Sequence, residues 1–223
     1  MNKAVFYKEW LKTRWFFLAA GIIFLCYTLY LVIRIGNAIE IRGADHLWPI
    51  LLTRDTIFIE PIRYLPLFTG LLIGIVQFIP EVIQKRMKLT LHLPYPRKKM
   101  VSMMMVAGLC ELLPLFIFQL VFLGVFLQQH LATELTWHIL LTALPWYAAG
   151  ITAYIWTYAT CMEPTWKMRA VLVLAGTGII RIHFMSNYPE SYNCFLPFLL
   201  LYGILGILLI MRSMIRFKEG CQD

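Results

Sequence analysis

The chain has 223 residues, 60% hydrophobic and only 14% charged, with a mean hydropathy of +0.71. A soluble domain carries about 25% charged residues, so this composition excludes an ordinary soluble fold and requires several membrane-crossing helices. The net charge of +8 is explained by Lys and Arg holding helix ends on one side of a bilayer, and nucleic-acid binding is not expected.

Residues 1–14 read as an amphipathic helix lying in the membrane interface. Phe6, Tyr7, Trp10 and Leu11 recur at helical spacing on one face, and Lys8, Glu9 and Lys12 mark the other. A helix rises 1.5 Å per residue, so about 20 apolar residues cross the hydrocarbon core. On that basis the expected spans are 15–33, 62–79, 100–127, 137–160, 170–184 and 194–211. The connection 34–61 is long and of mixed charge. The second span contains Gly70 and Gly74, a small-xxx-small pair that allows close helix approach. The fourth contains Pro145, where a kink or tilt is expected. The fold class is thus an all-α integral membrane protein forming one polytopic domain.

The stretch 78–99 is the densest charged interruption, with Lys85, Arg86, Lys88, Arg97, Lys98 and Lys99. Pro80 followed by Glu81 reads as a helix start, because Pro suits the first turn and a carboxylate suits the positive helix end. Pro94 and Pro96 stop the helix. One reading of 80–99 is a polar loop that only sets orientation. The other is a surface helix that docks a partner, with Met87, Leu91 and Leu93 for a groove and Glu81, Arg86 and Arg97 at its rim.

With both termini on one side, that side carries fifteen Lys and Arg. They are Lys3, Lys8, Lys12 and Arg14, the six of 78–99, Lys167 and Arg169, and Arg212, Arg216 and Lys218. The other side carries five: Arg34, Arg42, Arg54, Arg63 and Arg181. This bias puts both termini and 80–99 in the cytoplasm.

Motifs for nucleotide chemistry are missing. There is no GxxxxGK[ST], HExxH or GxSxG, and Gly176 and Gly178 lack the third glycine of a dinucleotide loop. The five cysteines form no CxxC, so neither a zinc site nor a disulfide framework is expected. Glu111 stands about a dozen residues into the third span, where an acid costs roughly 2.5–3.5 kcal/mol. It lines a path or interface, or it makes an interhelical hydrogen bond that only fixes packing. His46, His130, His138 and His183 fall on the outer side without ligand spacing, and solvated interfacial histidines explain them better than a metal or haem site.

The opening FYKEWLKTR and the stretch E…KR…L.L.LPYPR between the second and third spans resemble permease subunits of type-2 ATP-binding-cassette transporters. The residues carrying the resemblance are Lys8, Glu9, Trp10 and Arg14, then Glu81, Arg86, Leu91, Leu93, Pro94 and Arg97. It implies that 80–99 is the coupling helix touching a separate cytoplasmic ATPase, so that this chain is not itself the enzyme. ATP and Mg would sit on that subunit, with no cofactor on this chain. A second permease copy or a paralogue would complete a dimer in the inner or plasma membrane, and export is favoured over import. The chain departs from the family pattern in its long 34–61 connection. Its 185–193 loop is also short for the family's outer re-entrant helices. Two other classes stay open: a non-transporting membrane scaffold or sensor subunit, and a membrane enzyme or haem- or metal-handling protein using the outer histidines.

The charge bias makes a topological prediction. Single cysteines at Lys98 and Thr133 will react with an impermeant thiol reagent from opposite sides of the membrane. Labelling of both from one side would reject the six-span arrangement.

Overall fold

A computed structural model describes residues 2–42, 59–83, 96–186 and 188–218. The described residues contain no strand and six α-helices: α1 (Asn2–Arg42), α2 (Leu65–Ile83), α3 (Arg97–His130), α4 (Thr133–Met162), α5 (Trp166–Ile182) and α6 (Leu196–Lys218). A single 3₁₀ turn, Glu60–Ile62, precedes α2. Five helical stretches are long and apolar enough to cross a membrane: Lys3–Ala38, Glu60–Ile83, Lys98–His130, Thr133–Met162 and Leu196–Arg216. This is the build of an all-helical membrane protein.

The side-chain contacts set the helix directions. Thr28 of α1 meets Gln119 of α3, and Thr13 meets Glu111, so these two helices run parallel. Gly70 of α2 lies against Gly150 of α4 and Gly74 against Thr157, so α2 and α4 also run together. They oppose α3, because Tyr147 of α4 reaches Gln119 while Tyr158 reaches the Val101 carbonyl. In α6, Gly203 sits on Thr152 and Arg216 on Glu163, so α6 runs with α4. The connecting α5 therefore returns the chain, with Gly176 against Trp156 and His183 beside Thr152. Both the N-terminal end of α1 and the C-terminal end of α6 lie at the end of the bundle where α2 finishes and α3 begins. This is called the basic end below.

Two expectations are corrected. First, α1 is one helix of 41 residues, with no break between 14 and 15. No proline occurs in it to interrupt the hydrogen-bond ladder. At about 60 Å it outreaches a 30 Å hydrocarbon core. The polar face of its first turns is directed into the bundle. Glu9 and Thr13 are fully buried in the bundle, while Tyr7, Trp10 and Leu11 are exposed. Second, Pro80 and Glu81 do not start a helix but lie in the last described turn of α2. Pro80 removes one backbone donor, and the turn is held by Phe78, stacked on Tyr158 at 3.7 Å, and by buried Glu81. The expected fifth span falls on α5, which has 17 residues and is not among the five membrane-length helices. It stops at the level of Thr152, partway along α4.

The chain between α5 and α6 completes that distance as bonded turns rather than as helix. Tyr192 donates its hydroxyl to the Ile182 carbonyl and accepts from the Ser186 amide. Arg63 donates to the Phe184 carbonyl, and the Glu190 amide donates to Thr142. Non-helical backbone is tolerated among membrane helices when protein groups satisfy it in this way.

The hub of the bundle is α4. Within its best membrane-length window 78% of residues are buried, against 22–44% for the other four. Its small residues allow this. The Cβ that a side chain would add at Gly70 falls on the Gly150 carbonyl oxygen, and one at Gly150 falls 2.5 Å from the Pro66 carbonyl. The Gly70 and Gly74 pair thus packs within the chain, against α4. Pro114 and Pro145 both lie inside continuous helices.

Gly70→Ala will lower the melting temperature of the purified protein by several degrees, because overpacking costs about 1–3 kcal/mol. Gly178→Ala, where a Cβ meets nothing within 4 Å, will not lower it, because Ala favours the helix there over Gly. Thermal melts of the two variants in detergent check the pair, and equal stability would refute this close approach.

Candidate functional site: a buried charge cluster at the basic end

Glu81 is the one residue of the expected docking surface whose side chain is described, and it points inward. It is 1% exposed, with Oε1 2.8 Å from Lys8 Nζ and 2.6 Å from Lys12 Nζ. Lys12 Nζ also lies 2.9 Å from both carboxylate oxygens of Glu9. Lys8 and Lys12 are one helical turn apart on α1 and so share a face. That face is the one presented to α2 and α3. A carboxylate buried at the end of α2 needs a paired cation, and the α1 lysines supply it.

The cluster continues into α3. Thr13 Oγ1 lies 2.5 Å from Glu111 Oε1 and 3.0 Å from the Glu9 carbonyl oxygen. Glu111 is 3% exposed, and its Oε2 has no hydrogen-bond partner among the described residues. Glu111 therefore faces the bundle interior, at the junction of α1 and α3. Five charged or acidic side chains from three helices meet here: Lys8, Glu9 and Lys12 of α1, Glu81 of α2 and Glu111 of α3.

Between the levels of Glu81 and Glu111 runs a polar seam. Gln77 donates to the Met104 carbonyl at 2.7 Å, and the Tyr154 hydroxyl stands 2.9 Å from Gln77 Oε1 and 3.0 Å from the Met105 carbonyl. The seam depends on Gly108, since a Cβ there would overlap both Tyr154 and Gln77. A second ionic tie closes the same end on the other flank. Glu163, just past α4, accepts from Arg216 at 2.6 Å and Ser213 at 2.5 Å, and Thr165 adds a longer bond. Arg169 of α5 donates to the Glu163 carbonyl. The three helices α4, α5 and α6 are thus joined as α1, α2 and α3 are.

Of the other expected site residues, Arg86, Met87, Leu91 and Leu93 lie outside the described residues. Arg97 is the first residue of α3, and nothing of its side chain is described. His46 also lies outside them. The remaining outer histidines are not brought together. His130 is exposed beside Phe126, His138 is half-buried, and His183 is buried against Thr152. Among the described residues no group of three or more His, Cys, Asp or Glu could hold a metal ion. The four described cysteines are free. Lys8, Glu9 and Lys12 were legible as a polar face, but their cross-helix roles were not. Glu163 carried no sequence signal beyond its position after a span.

Comparison with protein-family models, with curated proteins and with solved structures finds no match.

Removing one partner from a buried ion pair costs about 3–5 kcal/mol, whereas removing both can be neutral. Lys12→Met will therefore destabilise the protein markedly. Lys8→Met will do so less, because Lys8 is 38% exposed and screened. The double variant Lys12→Met with Glu81→Leu will recover part of the loss. A double-mutant cycle on unfolding midpoints checks this, and strict additivity would mean that the pair contributes nothing.

Proposed function

We infer that the chain is the membrane-spanning permease subunit of a type-2 ATP-binding-cassette transporter, acting in export. In this reading it crosses the membrane six times, with both termini and the basic stretch in the cytoplasm. It works with a separate ATPase subunit and a second permease copy or paralogue. The single observation that carries the reading is where the basic stretch is rooted. Segment 84–95 leaves α2 two residues after Glu81, and Glu81 is clasped by Lys8 and Lys12 of α1. Thr13, one residue further along α1, holds Glu111 of α3.

The mechanical consequence follows from that linkage. A push on 84–95 by an ATPase closing on ATP reaches the end of α2 first. It passes through the lysines to α1 and through Thr13 to α3, so three helices move as one block. Closely packed interfaces are bistable rather than elastic, which is what converts a small push into a change of state. In this scheme Arg86 and Arg97 supply charge for register, and Met87, Leu91 and Leu93 enter a groove on the partner. Glu81 does not belong to that rim. Its role is to anchor the coupling stretch to α1. The fifteen-to-five distribution of basic residues and the resemblance of FYKEWLKTR and LPYPR to the family agree with this reading.

Arg86→Glu and Leu91→Asp will each strip ATPase activity from the complex purified in detergent, while membrane insertion persists because basic residues remain in the stretch. High salt will weaken the wild-type association. If both variants keep the ATPase and its substrate-stimulated activity, 80–99 is not the coupling element. The scaffold reading then replaces this one.

A further inference from the structure

Among the described residues the cluster at the basic end holds more carboxyl groups than ammonium groups to pair with them. Among the described residues Glu9, Glu81 and Glu111 bring three carboxyl groups, and Lys8 and Lys12 bring two ammonium groups. Both lysines are spent on Glu9 and Glu81, at 2.6–3.7 Å. Among the described residues Glu111 is left with a threonine hydroxyl on one oxygen and no partner on the other. An isolated buried carboxylate is too costly to keep, and such a group neutralises itself instead.

The hydrogen count at Thr13 points the same way. A hydroxyl has one hydrogen to donate and two lone pairs to accept with. Thr13 Oγ1 nevertheless faces two acceptor oxygens, the Glu9 carbonyl at 3.0 Å and Glu111 Oε1 at 2.5 Å. If Thr13 gives its hydrogen to one of them, the other contact lacks one. Both contacts are hydrogen bonds when Glu111 Oε1 itself carries a proton and donates it to Thr13, which in turn donates to the Glu9 carbonyl. The orphaned Oε2 is then the carbonyl oxygen of a neutral acid, which costs far less without a partner than a charged oxygen.

We propose that Glu111 is a proton-binding site that is loaded while α1 is packed against α3 and empties when the two separate. On emptying, the proton leaves Oε1 for water and Thr13 loses its donor. The carboxylate left behind repels Glu9 across the α1–α3 contact. The proton thereby latches α1 to α3. The charged and titratable groups facing this site are Glu9, Lys8 and Lys12 from α1, Glu81 from α2, and Tyr154 and Tyr158 from α4. On α3 itself the neighbouring Cys110 is exposed. The site does not depend on the transporter reading, because its chemistry lies within one chain.

Two measurements on the full-length protein test it. Dicyclohexylcarbodiimide reacts with protonated carboxyls in apolar surroundings, and peptide mass spectrometry locates the adduct. Glu111 will be modified in membranes near neutral pH, less so as the pH rises, while lysine-paired Glu9 and Glu81 will not. The second measurement is unfolding in mixed micelles against pH, comparing wild type with Glu111→Gln, which preserves the shape of the neutral acid. A group protonated when folded and ionised when unfolded takes up a proton on folding, so stability falls as pH rises. Above about pH 5, where an exposed Glu is ionised, the wild-type unfolding constant will rise by up to about tenfold per pH unit relative to Glu111→Gln. Parallel pH profiles for the two proteins overturn the proposal whatever the reagent labels. Diverging profiles of the stated sign sustain it even where the bulky reagent is kept out. The ATPase assay on Arg86→Glu can fail without touching either result.

Discussion

Charge cannot be left unpaired inside a membrane protein, and the basic end of this bundle is built around that constraint. Glu81 ends α2 in a buried position, and the only cations near it among the described residues come from α1. For Lys8 and Lys12 to reach it, the polar face of α1 must turn into the protein. Tyr7, Trp10 and Leu11 are thereby turned outward, where they suit an apolar or interfacial surrounding. The uninterrupted course of α1 and its parallel run beside α3 are consistent with this single pairing.

The interior is otherwise held by close backbone approach and by tyrosine. Gly70 and Gly150 let α2 and α4 touch at the main chain, and dispersion and backbone contact stabilise such crossings where lipid gives no hydrophobic drive between helices. Along α4, Tyr147, Tyr154 and Tyr158 each send a hydroxyl to α3 or to a group bonded to it. Every one of these hydroxyls is satisfied, which makes the seam a specifying feature rather than a cost.

Two ionic ties at one end, none at the other among the described residues, give the bundle an asymmetry. Glu81 with Lys8 and Lys12 joins the first three helices, and Glu163 with Arg216 joins the last three. The halves meet through α2, α3 and α4. Segment 84–95 leaves from the first of these ties, and the main-chain contact of Gly70 with Gly150 joins the two trios. Loss of a proton from Glu111 would set three carboxylates against two ammonium groups among the described residues of this end.

Composition and hydropathy by themselves determined that this chain is helical and membrane-bound, because apolar runs near 20 residues have few other stable states. The positions of α2, α3, α4 and α6 were legible for the same reason. So was the close-packing role of Gly70, since only small residues permit main-chain contact. The continuity of α1 was not legible. Local amphipathicity at 1–14 looks the same whether the polar face meets water or the buried carboxyls of Glu81 and Glu111. The fate of Glu81 was misjudged because a proline before an acid marks a helix start in isolation, while here the burial of Phe78 and the α1 lysines keep the turn in α2. Glu111 stood out as an acid in a span. Its partner Thr13, 98 residues away in sequence, could be identified only once tertiary packing had brought α1 alongside α3, because contacts of that separation leave no periodic trace in the chain.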